Sequence, residues 1–327
     1  MKPKSPSSRF ALIGAVVSLA ASAIPGRAEE MVRYVLLQVP AKEGALIHSR
    51  LEKAKPEAMD EILQRPGIGM LGDFMEVNPW RGETVEMSMP MDPIEFGGEV
   101  AKERGVKLEV EGARIAAKGV VARLAAEVDL PEDSKGYRSF HSHGSIPVRP
   151  GTWREDARWG DGKETLMLWR LATTTAPEDE AAAGDPVGKV EMLWFKLPEA
   201  DLGTLAKSKP ETRDKAFEWL TGRGELWKES SFWVRGGERS AWMMAEGKLS
   251  LAKDQAVADE SRAGFDVEIR VDGDTVKFAW NIFAKEQGSD DEAKTKFVAT
   301  ATPGVWEFSE IKGIDGANVV AWRCAME

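Results

Sequence analysis

Cysteine is almost missing from this chain. Its one thiol, Cys324, stands three residues from the end of a 327-residue sequence, so no disulfide can staple the chain to itself in any redox compartment. Histidine is nearly as scarce, with three residues, which leaves few ways to build a nitrogen-rich metal site. Beyond Ile24 no apolar run approaches the ~20 residues that a spanning helix needs. Positive charge is in deficit: 44 lysines and arginines face 54 acids, a net charge of −10. A chain so acidic repels a phosphate backbone, which argues against nucleic acid as a partner. No G-x-S-x-G stretch occurs, so a hydrolase built on a nucleophile elbow is not expected.

What is present begins with an address. "MKPKSPSSR" is basic, "FALIGAVVSLAASAI" (10–24) is apolar or small throughout, and "PGRAEE" follows. A basic start, an apolar run shorter than a membrane span and small residues at a cleavage site describe a secretory signal peptide. Ala21-Ser22-Ala23 and Gly26-Arg27-Ala28 both fit a cleavage site, and cleavage after Ala28 leaves a polar mature start. Residues 1–28 contain Lys2, Lys4, Arg9 and Arg27 and no acid, so their removal takes the net charge from −10 to −14. The expected location is the periplasm or the outside of the cell, with outer-membrane association as an option. The remaining length suits two domains, and 43% apolar residues supply ample core.

Two stretches, "RPGTW" (149–153) and "TPGVW" (302–306), sit 153 residues apart, and other landmarks repeat in the same order. "YVLLQVPAKE" (34–43) matches "LWFKLPEAD" (193–201) as a strand ending at proline. "KAKPEAMDEIL" (53–63) matches "KSKPETRDKAF" (207–217) as a short amphipathic helix, with proline and glutamate suited to a first turn. "GVKLEVEG" (105–112) and "GFDVEIRVDG" (264–273) alternate apolar and charged residues as half-buried strands do. "DGKETLMLWRLA" (161–172) and "DGANVVAWRCA" (315–325) align Trp169 with Trp322. Charged stretches at 92–104 and 245–263, and at 131–139 and 285–295, are expected as matching loops. The reading is a signal peptide (1–28), a first β-rich repeat (29–172), an acidic linker (173–188) and a second β-rich repeat (189–327). The fold class is mainly β with minor α. Each repeat opens with a strand and a short helix, followed by antiparallel strands and hairpins.

Motifs with chemical content are few. "GIGMLG" (67–72) has the glycine spacing of a dinucleotide loop, but helix precedes strand here, the reverse of what pyrophosphate binding requires. Its glycines are expected to end a helix and turn the chain. "FHSHG" (140–144) places His141 and His143 two apart, hence on one face of a strand, where they could share Zn²⁺ or Cu²⁺ with a carboxylate. Twelve tryptophans occur, eight of them at position 194 or later. Trp227 and Trp233 belong to one repeat only and are the candidates for an exposed aromatic surface that binds a protein or a sugar.

The order of strand, helical stretch, glycine turn, "GVKLEVEG" or "GFDVEIRVDG", and a closing "DGKETLML" or "DGANVVAW" resembles the β-domain of secretins. Secretins form ring-shaped outer-membrane channels in bacterial secretion and pilus systems. The resemblance implies a non-catalytic assembly or binding protein of the cell envelope, present as two diverged copies, with a protein or other envelope component as partner and a homo-oligomer as an option. It supplies no catalytic residue and no cofactor. The competing expectations are a metal-binding protein or metal-dependent enzyme on His141 and His143, and a carbohydrate-binding module using Trp227 and Trp233.

Overall fold

The computed structural model describes residues 31–77, 84–96, 99–116, 119–132, 135–148, 151–172, 187–198, 200–201, 213–252, 255–272, 275–288, 292–311 and 317–326. The expected signal peptide lies outside these residues, as does the expected linker up to residue 186. The first repeat contributes β1 (Met31–Pro40), α1 (Ala41–Leu51), α2 (Ala58–Leu63), β2 (Gly69–Val77), β3 (Val85–Phe96), β4 (Glu99–Ala116), β5 (Gly119–Pro131), β6 (Gly136–Val148), β7 (Trp153–Gly160) and β8 (Glu164–Ala172). The second contributes β9 (Val187–Leu197), α3 (Arg213–Arg223), β10 (Glu225–Arg235), β11 (Arg239–Ala252), β12 (Gln255–Asp272), β13 (Thr275–Lys285), β14 (Ala293–Ala301), β15 (Glu307–Ile311) and β16 (Ala317–Met326).

The strands form two antiparallel sheets of eight. The helix-backed sheet runs β15-β16-β9-β10-β7-β8-β1-β2, and the open sheet runs β14-β13-β12-β11-β6-β5-β4-β3. The protein is therefore mainly β with minor α, and each sheet takes four strands from each repeat. The sequence dictates which face each sheet buries. In β13, "TVKFAWNIFAK", Val276, Phe278, Trp280, Ile282 and Ala284 all turn inward while their neighbours stay at least partly exposed, the alternation of a strand with one wet face. β8, "ETLMLWRLA", is buried at nearly every position, because its second face lies under helices. One apolar core fills the space between the sheets and draws on both repeats, from Val32 and Leu108 to Trp242 and Trp322. On the far face of the helix-backed sheet, Ile47, Leu51, Met59 and Ile62 of α1 and α2 pack on Val35, Trp153, Met167 and Trp169. Leu220 of α3 packs in a matching cluster with Phe195, Leu197, Val319 and Ala321.

The repeated Pro-Gly-x-Trp stretches occupy equivalent places. Gly151 and Gly304 have φ of +81° and +79°, a conformation that glycine adopts without a side-chain penalty. Their amides donate to the carbonyls of Ala172 and Cys324 at 2.8 and 2.7 Å. Trp153 and Trp306 then both turn to the helix side. Gly67, with φ +82°, lets the chain turn from α2 towards β2, as its place after a helix suggested.

Other expectations need correction. Helix α1, eleven residues long, precedes the expected helix, which itself starts only at Ala58. The charged stretches 92–104 and 245–263 fall largely in the hairpin strands β3–β4 and β11–β12 rather than in loops. Trp169 and Trp322 are not equivalent, since Trp169 faces the helices and Trp322 faces the other sheet. The true counterpart of Trp322 is Arg170: Arg170 pairs with Tyr34 and Trp322 with Met192, at the same distance before Pro40 and Pro198.

The open wet face and the buried charge cluster

The densest set of ionisable side chains lies where the repeats meet in the helix-backed sheet. β7, "WREDARWG", is buried along its whole length, yet four of its eight residues are charged. A register shift between Glu155 and Ala157 turns Glu155 to one face and Asp156 into the core. Asp156 forms a two-pronged pair with Arg170, at 2.8 and 3.1 Å, and Arg170 also donates to the Pro147 carbonyl of the open sheet at 2.6 Å.

Glu155, fully buried, is gripped from three directions. Arg158 donates to both its oxygens, at 3.1 and 2.7 Å. Lys189 of β9 lies 3.6 Å away. His48, in the last turn of α1, places Nδ1 at 2.7 Å; a carboxylate only accepts, so this nitrogen carries the proton. Arg158 continues to Glu229 of β10 at 2.6 Å, tying the first repeat to the second. Glu52, the residue capping α1, holds Arg154 at 2.9 Å and the Glu155 amide at 3.2 Å. Burial on its own raises a carboxyl pKa. At Glu155 it is outweighed by Arg158, Lys189 and His48, which hold the group well below the usual carboxylate range. Asp156 has one principal cation instead of three. There burial wins over Arg170, and its carboxyl is raised.

His141 and His143 do share a face, the wet face of the open sheet. His141 sits between Glu127 of β5 and Met243 of β11, and His143 between Ala125 and Ala241. A shallow hollow of about 320 Å³ opens here, lined by both histidines, Met243, Phe283, Asp266 and Glu127 among others. Small residues make it: Ala125 and Ala241 line it, and beside Met243 stands Gly264, where any Cβ would strike the Phe283 ring. His141 Nδ1 is 3.9 Å from Glu127 Oε1, beyond hydrogen-bond reach. Among the described residues no three His, Cys, Asp or Glu side chains are grouped as a metal ion would need.

The tryptophan candidates for a surface do not stand free. Trp233 is 2% exposed and belongs to the core; its indole N–H donates to the Glu155 carbonyl at 2.9 Å. It is corrected from surface platform to buried packing residue. Trp227 is partly buried, edge-on to Trp194 at 5.0 Å, with the Lys196 and Lys228 ammonium groups 4.6 and 5.5 Å from its ring. Cys324 is buried, and that burial pushes its thiol up to about 12, so it is no nucleophile.

No family model, curated protein or solved structure matches this chain. Sequence reasoning passed over the Glu155 cluster entirely. The available signal was "WREDARW" (153–159), five consecutive residues of which four are charged, set between tryptophans. Such charges between large apolar groups belong to a strand buried on both faces with its ions paired.

Proposed function

We propose that this chain is an exported binding protein of the cell envelope without catalytic chemistry. Its partner, a protein or another envelope component, meets the wet face of the open sheet around His141 and His143. The observation that carries this reading is the difference between the two sheets. One is backed by helices, and its charged groups are turned on one another. The other presents one face of its strands to solvent and dips at the hollow walled by Phe283, Met243 and the histidines. An aromatic, a thioether and two imidazoles over a small-residue floor suit an inserted side chain. The resemblance to secretin β-domains supports the same class of activity.

A photo-reactive residue at position 143, tested in cells producing the protein, is expected to give a discrete adduct that the same residue at Glu61 on α2 does not give. The absence of any adduct specific to position 143 would refute this reading.

A second reading rests on the two imidazoles beside Met243, nitrogen and thioether donors that suit copper, with the imidazoles alone suiting zinc. Stoichiometric copper or zinc in the purified protein, lost in His141→Ala, would establish it.

A further inference from the structure

The two repeats join in a particular way. In the helix-backed sheet, β10 of the second repeat pairs with β7 of the first; in the open sheet, β11 pairs with β6. Both pairings are head to tail, because the strands in contact are different strands of the repeat. The strands equivalent to β10 and β11 in the first repeat are β2 and β3. Those equivalent to β7 and β6 in the second are β15 and β14. These four are the edges of the two sheets. One end of the molecule thus carries the strands that form one half of the internal junction, and the other end carries the second half. A head-to-tail contact of this kind always leaves a complementary pair of ends.

The register can be transferred residue by residue. Met89 faces Val106 as Trp242 faces Phe265, and Phe297 faces Trp280 as Ser142 faces Ala126. Inside the molecule Trp242 pairs with Ser142, so Met89 of one molecule pairs with Phe297 of another. The neighbours follow: Met87 with Ala299, Val85 with Ala301, Ser88 with Val298 and Glu86 with Thr300. The pleat agrees. Val85, Met87 and Met89 face the inter-sheet core at one end, and Phe297, Ala299 and Ala301 face it at the other, so joining the ends makes one core of two. Val298, the most exposed of the large hydrophobics at 76%, gains cover on the wet face.

Charge agrees as well. β3 carries Glu86, Asp92 and Glu95 and no base, while β14 carries Lys294 and Lys296 and no acid. Pro90 and Pro93 remove backbone donors beyond Met89, which limits the new ladder to the five residues Val85–Met89. The internal β10–β7 ladder has only four pairs. In the helix-backed sheet the same transfer sets Phe74, Met75 and Glu76 of β2 opposite Ile311, Glu310 and Ser309 of β15, a shorter ladder, so the contact rests mainly on the open sheet.

We propose that the chain assembles end to end with further copies of itself, Val85–Met89 of one molecule adding in antiparallel register to Phe297–Ala301 of the next. This does not depend on what the wet face binds. Two exposed positions that face each other across the contact test it: Ser88→Cys and Val298→Cys, in the chain starting at Glu29. Cys324 is buried and will not interfere. Under mild oxidation the two single variants mixed together are expected to give a covalent dimer, and the double variant a ladder of multimers. Light scattering of the wild-type chain should show masses that climb past the dimer as concentration rises. A wild-type monomer at every concentration, with no cross-link in the mixture, would overturn the proposal. So would each single variant cross-linking to itself as readily as to the other, since that contact would be symmetric.

Discussion

Glu155 shows how a single charge is made tolerable inside a sheet. Its carboxylate has lost water and gained Arg158, Lys189 and His48 in exchange. The arrangement is unforgiving, because removing one member of a buried set leaves the others uncompensated. Glu155→Gln is expected to destabilise the protein by about 3–5 kcal/mol, read as a lower denaturant midpoint with an unchanged slope. The same residue sets a pH dependence. Its folded pKa lies below the unfolded value of about 4.3, so its stabilisation is complete above that value and is lost as pH falls through the folded one. A comparison of unfolding free energies from pH 7 down to pH 3 should show a shallower acid limb for Glu155→Gln than for the wild type. Equal slopes would mean that other carboxylates govern acid unfolding.

At the scale of elements, the close approach of the two sheets depends on a missing side chain. β6 and β10 come so near that a Cβ at Gly144 would collide with the Trp233 carbonyl oxygen, which is backbone and has little room to retreat. Gly144→Ala is expected to cost stability on the scale of overpacked cores, about 1–3 kcal/mol, measured by thermal unfolding, whereas Gly151→Ala meets no atom and strains only its own φ. This same level is where sequence reasoning worked best and where it slipped. The Pro-Gly-x-Trp repeat was legible because a left-handed glycine and a buried indole are both narrowly specified. The strand pattern of β4 and β12 was legible because one face is wet. The match of Trp169 to Trp322 was wrong by one residue, and in a strand one residue reverses the face. His141 and His143 could be placed on a common face from spacing alone. The hollow around them could not, since it needs Phe283 and Gly264 from strands over a hundred residues away.

For the molecule as a whole, the two similarly ordered sets of strands do not form two separate cores. Trp242 stacks on Phe265 and hydrogen-bonds the Arg158 carbonyl of the first repeat, while Arg158 pairs with Glu229 of the second. Heat or denaturant is accordingly expected to unfold both repeats in one transition, with circular dichroism and tryptophan emission coinciding. Two resolved transitions would show that the repeats are energetically independent despite their common core.

Three indoles lie along the seam: Trp159 donates to the His141 carbonyl, Trp233 to Glu155 and Trp242 to Arg158. The join between the repeats is thus lined with the protein's own chromophores, sealed from water and in hydrogen-bonded surroundings. Any event that pries the halves apart must wet these rings first, so the seam carries a native optical gauge, and its opening can be followed by the red shift of its emission without attaching a dye.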